Sequence, residues 1–254
     1  MEKWKKIAAS FIDSCSFRDE IEAVFLTGSH AVGNADEFSD IDLFIVLNDN
    51  ANWRERGNKR MDDLLIEYFA NPVRQVKKSI DENFENACLI EITMVLNGII
   101  ILNKNSTAEK IIDYCQQKKA TDFPSMSKFN LVNGLYHLWD NLDELARACT
   151  KQTPDAAMHF YSFVKYAFEL YSRYICAPVP NFQKLHRWLT DDSYAKNYGL
   201  PTYKNPAFLE IIKPAFECSG DEAMLKVARM IHSYVEEKMG GFDVDNFVLH
   251  GPCS

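Results

Sequence analysis

Asp40 and Asp42 stand two residues apart at the entrance of an apolar run, Ile41 to Leu47 (IDLFIVL). The run reads as a buried strand, being short, β-branched and apolar on both faces. A carboxylate in such surroundings is costly unless something compensates it. On a strand, residues two apart point to the same face, with Cα atoms about 6.6 Å apart, so both carboxylates can converge on one cation. Oxygen-only donors suit a hard divalent ion such as magnesium, which keeps waters and substrate phosphates in its remaining positions. A metal site is therefore the leading reading of the pair.

Upstream, Gly28-Ser29 follows directly on another strand-like run, IEAVFLT (21 to 27). Only four glycines precede residue 125, and two of them, Gly28 and Gly33, lie in this stretch. At Gly28 a backbone without Cβ can approach a ligand closely and turn its N–H groups toward phosphate oxygens, and Ser29 adds a hydroxyl donor.

These groups need a scaffold. The first fifteen residues read as an amphipathic helix, followed by strands over Ile21–Thr27 and Ile41–Leu47. The polar stretch from 48 to 63 (NDNANWRERGNKRMDD) has no apolar period and reads as a loop or a solvated short helix, its Arg54, Arg56, Lys59 and Arg60 forming a basic cluster open to solvent. Leu64 to Phe69 is a third strand, residues 73 to 97 are mostly helical, and the run after Gly98 is a fourth strand. Past a Pro/Ser break at 121 to 128 the chain turns to long aromatic-rich helices. One carries Phe129, Val132, Leu135, Tyr136, Trp139 and Leu142 at helical spacing; another carries Phe160, Phe163, Val164, Ala167, Tyr171 and Tyr174. Further helices are expected over about 182–190, 206–218 and 221–239 by the same spacing. The expectation is an α/β chain: a small mixed-sheet domain with helices over residues 1–122, then an all-α helical-bundle domain over 123–254.

The composition narrows the function. The chain has 254 residues, 47% hydrophobic, enough for a substantial core. Seven cysteines, at 15, 88, 115, 149, 176, 218 and 253, are spread without a CxxC pair, which fits reduced thiols in a cytoplasmic protein. No stretch reaches transmembrane length and the N-terminus lacks a signal-peptide core. A formal charge of −8 argues against a grip on long nucleic acid. The six histidines show no metal-ligand spacing, and Asp243-Val244-Asp245, an acidic pair without a preceding Gly-Ser turn or a following strand, is read as incidental.

The order Leu-Thr-Gly-Ser, ten residues, Asp-Ile-Asp and an apolar run resembles the nucleotidyltransferase superfamily that includes DNA polymerase beta. The resemblance covers about residues 20 to 70. It implies that Gly28 and Ser29 hold a nucleoside triphosphate with support from Ser39, and that Asp40 and Asp42 bind magnesium, one ion or two. It also implies a third carboxylate on a neighbouring strand, which Glu67 in Leu65-Ile66-Glu67-Tyr68-Phe69 matches. Glu67 then either completes the metal shell or accepts the proton of an acceptor hydroxyl; its plain alternative is a strand-edge Glu facing solvent. His30, beside the turn, is a further nucleotide-binding candidate, and Lys165 on a helix of the second half is another, since helical-domain lysines reach the triphosphate in some relatives. Small antitoxin-type members commonly carry arginines just after Gly-Ser; His30 and Val32 here argue against close kinship with them.

The length and helical C-terminal half look similar to aminoglycoside and lincosamide nucleotidyltransferases. The reading is thus a transferase, monomer or homodimer, moving AMP from ATP to a hydroxyl of a small molecule, with an aminoglycoside or lincosamide antibiotic as the acceptor by analogy and antibiotic resistance as the role. Two rivals stay open: transfer to a protein side chain, and a non-catalytic nucleotide- or partner-binding module of the same fold.

Overall fold

A computed structural model describes residues 3–251; Met1, Glu2 and Cys253 lie outside the described residues. The chain groups into two compact units, one reaching to Asp122 and including Asp191–Pro201, the other made of Phe123–Thr190 and the residues from Thr202 onward.

The first unit begins with α1 (Lys3–Ser14) and continues through β1 (Ile21–Thr27), α2 (Gly28–Val32), β2 (Ile41–Leu47), β3 (Glu55–Met61) and β4 (Leu64–Pro72). It then runs through α3 (Val73–Glu85), α4 (Ile90–Leu96), β5 (Ile99–Asn103) and α5 (Thr107–Lys119). The five strands form one mixed sheet in the order β3-β4-β2-β1-β5, with β2 and β4 parallel and the other neighbours antiparallel. Strand alternation gives the sheet two different faces. One carries Val24, Leu26, Ile41, Leu43, Ile45, Leu47 and Ile66, all buried against Trp4, Ile7, Ala8, Phe11 and Ile12 of α1. The other carries Phe25, Phe44 and Val46 of the core, and from its parity also Asp42, Glu67, Phe69 and Asn71; α3, α4 and α5 cover it. Asp42 and Glu67 thus share one face of the sheet, near one end of β2.

The stretch expected to be a loop or short helix is instead the edge strand β3. It pairs antiparallel with β4 from Glu55↔Ala70 to Met61↔Leu64, closed by Asp62 and Asp63 with φ of 45° and 67°. Two left-handed residues make the tight hairpin turn whose twist suits the flanking strands. Both faces of β3 are largely solvated, so it has none of the apolar alternation that announces a half-buried strand.

The second unit is helical: α6 (Lys128–Lys151), α7 (Ala156–Tyr174), α8 (Leu185–Thr190), α10 (Pro206–Ile212) and α11 (Asp221–Lys238), with α6, α7 and α11 packed on one another. Short α9 (Asp192–Asn197) belongs to the first unit, where Asn197 Nδ2 donates to Asn34 Oδ1 over 2.9 Å. On α6 the most deeply buried face runs through Leu135, Leu138 and Leu145, whereas Phe129 is exposed and Tyr136 stacks on Phe247 with ring centres 4.6 Å apart. On α7, Phe160, Phe163, Val164, Ala167 and Tyr171 are buried as their spacing predicts. Among the described residues no helix is long and apolar enough to cross a membrane, and the cysteines of that range are free thiols.

Candidate functional site

Asp40 ends the loop that enters β2, and Asp42 is the second residue of that strand. Glu67 sits in β4, between β3 and β2, so it is not on an edge; the parallel register pairs it directly with Asp42. Residues paired across adjacent strands share a face. One carboxylate oxygen from each of Asp40, Asp42 and Glu67 lies within 4.8 Å of the others, and all three residues are half-buried. Burial, reinforced by the charges of Asp40 and Glu67, pushes Asp42 up to about 6. Three crowded carboxylates, one of them partly desolvated, form an all-oxygen donor set that fits a hard divalent ion; among the described residues one arginine is paired with it.

That arginine is Arg56. It alternates onto the carboxylate face of β3, where Nη2 donates to Glu67 Oε1 over 2.6 Å and the guanidinium lies 4.5 Å from the Phe69 ring centre. The period of two splits the basic cluster: Lys59 reaches the α1 side, bonding Ser14 Oγ over 3.3 Å, and Arg60 turns to the Asp63 carbonyl. Arg56 is therefore a strand residue in contact with the carboxylate cluster, its side chain still mostly solvated. With β3 read as a loop, no face could be assigned to it.

Gly28 has φ +65°, and a Cβ there would run into the Asp42 carboxylate. The glycine is thus required by Asp42 itself as well as by its backbone conformation. Ser29 follows on α2 with a hydroxyl that makes no hydrogen bond among the described residues, while its carbonyl accepts from Gly33 and Asn34. Ser39 Oγ donates to Asp36 Oδ1 and accepts from the Asp36 N–H, both over 2.9 Å, tying down the loop that delivers Asp40. His30 packs on Trp4 at 6.2 Å between ring centres, its Nε2 buried without a hydrogen-bond partner. Lys165 lies in the second unit, exposed, 3.9 Å from Glu169. Asp243 is spent on a local turn, accepting from Asp245 N–H and Asn246 Nδ2.

Beside the carboxylates a cavity of about 480 Å³ opens between the sheet and α3 and α4. Its floor is Phe44 and Phe69, which face each other in the register pair two residues beyond Asp42 and Glu67. No signal in the sequence marks it, because its walls come from β2, β3, β4, α3 and α4 at once.

Residues 9–101 match the family model described as nucleotidyltransferase domain. That match supports nucleotidyl transfer as the general chemistry and a nucleotide as one substrate. No match was found among curated proteins. Among solved structures the chain is similar to a nucleotidyltransferase-like protein from Exiguobacterium sibiricum 255-15, at 13% identity over 93% of this chain and 75% of that chain, with a TM-score of 0.44.

Proposed function

We propose that this protein transfers a nucleoside monophosphate, AMP from ATP in the first instance, to a hydroxyl of a small molecule with release of pyrophosphate. The observation that carries the reading is the convergence of Asp40, Asp42 and Glu67 within 4.8 Å of one another, directly beside Gly28. Bound divalent metal, magnesium by the chemistry of the donors, would neutralise charge on the triphosphate and on the departing pyrophosphate. Asp40 and Asp42 are the residues that would hold it, with Glu67 completing the set.

In the transfer itself the acceptor oxygen forms a bond to the α-phosphorus, and the bond from that phosphorus to the oxygen bridging the β-phosphate breaks. Glu67 either completes the donor set or takes the proton of the acceptor hydroxyl, and in both roles Arg56 at Oε1 fixes the orientation of the carboxylate. Gly28 and Ser29 hold the triphosphate on the β1 side, with Ser39 keeping the Asp40 loop in place. Lys165 and His30 are the remaining nucleotide-binding candidates.

The test is pyrophosphate release from each nucleoside triphosphate with magnesium over a panel of hydroxyl acceptors, aminoglycosides and lincosamides included, comparing wild type with Asp42→Asn. Acceptor-dependent release that disappears in the variant is expected. Undiminished release by Asp42→Asn overturns the assignment.

A further inference from the structure

We propose that the cavity formed by Phe44, Phe69, Arg54, Arg56, Ile90 and Met94 is the acceptor site, and that it takes a hydroxyl compound combining a flat or apolar body with an anionic group. The inference rests on the transfer reading for the word acceptor, but the cavity and its charge stand by themselves.

Position comes first. In the sheet order β3-β4-β2-β1, Gly28 lies on the β1 side of Asp42, and Glu67 and Arg56 lie on the opposite side. In-line displacement requires the attacking oxygen to approach opposite the leaving pyrophosphate. With the triphosphate on the β1 side, the acceptor must arrive over β4. The cavity is there: Phe44 and Phe69 lie on the same face, two residues, or about 7 Å, along from Asp42 and Glu67. Arg56 belongs to both places, bonded to Glu67 and stacked on Phe69.

Size and chemistry follow. About 480 Å³ is in the range of pockets that enclose small molecules. Two aromatic rings with Ile90 and Met94 give an apolar slot, and Ile90, 45% exposed, leaves apolar surface at its mouth. The charges at the slot are uneven. Arg54 makes no ion pair among the described residues, and Arg56 stands next to it on the same face. Glu55 also borders the cavity, but its carboxylate accepts from Tyr68 Oη over 2.6 Å, and Tyr68 packs on Phe11 across the sheet. Glu91 is the one carboxylate left on the walls, and it is held by Asn83 Nδ2 over 2.6 Å. Arg56 is already shared with Glu67, so the charge the slot offers a ligand is that of Arg54, which over two aromatic rings favours an anion with a flat body and opposes a polycation such as an aminoglycoside.

The experiment uses a charge series of similar size, 4-hydroxyphenylacetate, neutral 2-(4-hydroxyphenyl)ethanol and cationic tyramine, with binding to the full-length protein read by saturation-transfer NMR and titration. The anion is expected to bind at least tenfold more tightly than tyramine. Arg54→Glu, an exposed change, should remove that preference, and Ser79→Phe, which fills the cavity from α3, should abolish binding of all three. Equal or better binding of tyramine, or indifference to both variants, overturns the inference. Pyrophosphate release is then measured with the same series. Binding without turnover from any triphosphate leaves the anion site standing and sinks the transfer reading. Turnover with acceptors that Ser79→Phe does not affect does the reverse.

Discussion

Arg56 Nη2 lies 2.6 Å from Glu67 Oε1, so the third carboxylate of the cluster already has a cation beside it. The arginine is mostly exposed and the carboxylate is not, with side-chain exposures of 68% and 24%. A pair that open contributes less than about 1 kcal/mol to stability. Its larger effect is on the charge that a metal ion meets. Arg56→Gln removes one positive charge from contact with the donor set, and magnesium or manganese should then bind about two- to fivefold more tightly, with melting temperature nearly unchanged. Calorimetric titration with manganese checks this; weaker binding in the variant would show that Arg56 holds Glu67 in its ligating position more than it competes with the ion.

Asp42 links the same cluster to stability. Its carboxyl holds a proton up to about pH 6 in the metal-free fold, whereas the unfolded chain releases it near 3.8. Between those values the folded state binds more protons, so stability is fullest at low pH and is lost as pH rises through about 6. At pH 7.5 the ionised Asp42 then destabilises the metal-free protein by about 1–2 kcal/mol, less than the full shift would give because solvent screens a carboxylate that is partly exposed. Asp42→Asn should raise the melting temperature in EDTA by about 2–6 °C at pH 7.5 and by much less at pH 4.5. Added magnesium should stabilise the wild type by mass action and do nothing for the variant. A drop in melting temperature at pH 7.5 contradicts the argument.

Gly28→Ala tests the contact from the other side. The new Cβ meets the Asp42 carboxylate at a backbone φ of +65° that an L side chain adopts at a cost of roughly 1–2 kcal/mol. The Asp42 carboxylate must swing aside, and manganese affinity should fall at least tenfold while circular dichroism keeps the native helix and strand signal. Unchanged affinity would mean that the carboxylate can move without leaving the donor set.

The legible part of this site was the part made by buried strands. β2 announces itself because its charge interrupts an otherwise apolar run, and the spacing of Asp40 and Asp42 on it is fixed by the pleat. Glu67 was identifiable through the resemblance, and the parallel register that sets it against Asp42 came only with the folded sheet. β3 is not legible, because an edge strand with two wet faces has no hydrophobic period to read, and without it the face to which Arg56 belongs stays hidden. α9 was missed for a related reason: six residues, DSYAKN, bury little beyond Tyr194. The cavity was beyond reach because its lining is brought together by pairing and packing of segments up to fifty residues apart, from Phe44 to Met94.

The β3–β4 hairpin offers a last test, since it carries Arg56 on a strand held only from one side, with Arg54 immediately before it. Its turn residues Asp62 and Asp63 have φ of 45° and 67°, a conformation that favours Asn-Gly over two aspartates. Adjacent like charges add a small penalty to that backbone cost. The double substitution Asp62→Asn with Asp63→Gly should therefore stabilise the protein by about 0.5–1 kcal/mol, with glycine accepting the left-handed position without strain. Lys3 Nζ bonds the Asp62 carbonyl, a backbone group that the substitution leaves in place. Hydrogen exchange of the β3 amides that pair with β4 is the sharper readout, and it should slow about threefold or more. Faster exchange would show that the turn is not the weak point of the hairpin, and that the fixed position of Arg56 depends on its contacts with Glu67 and Phe69 instead.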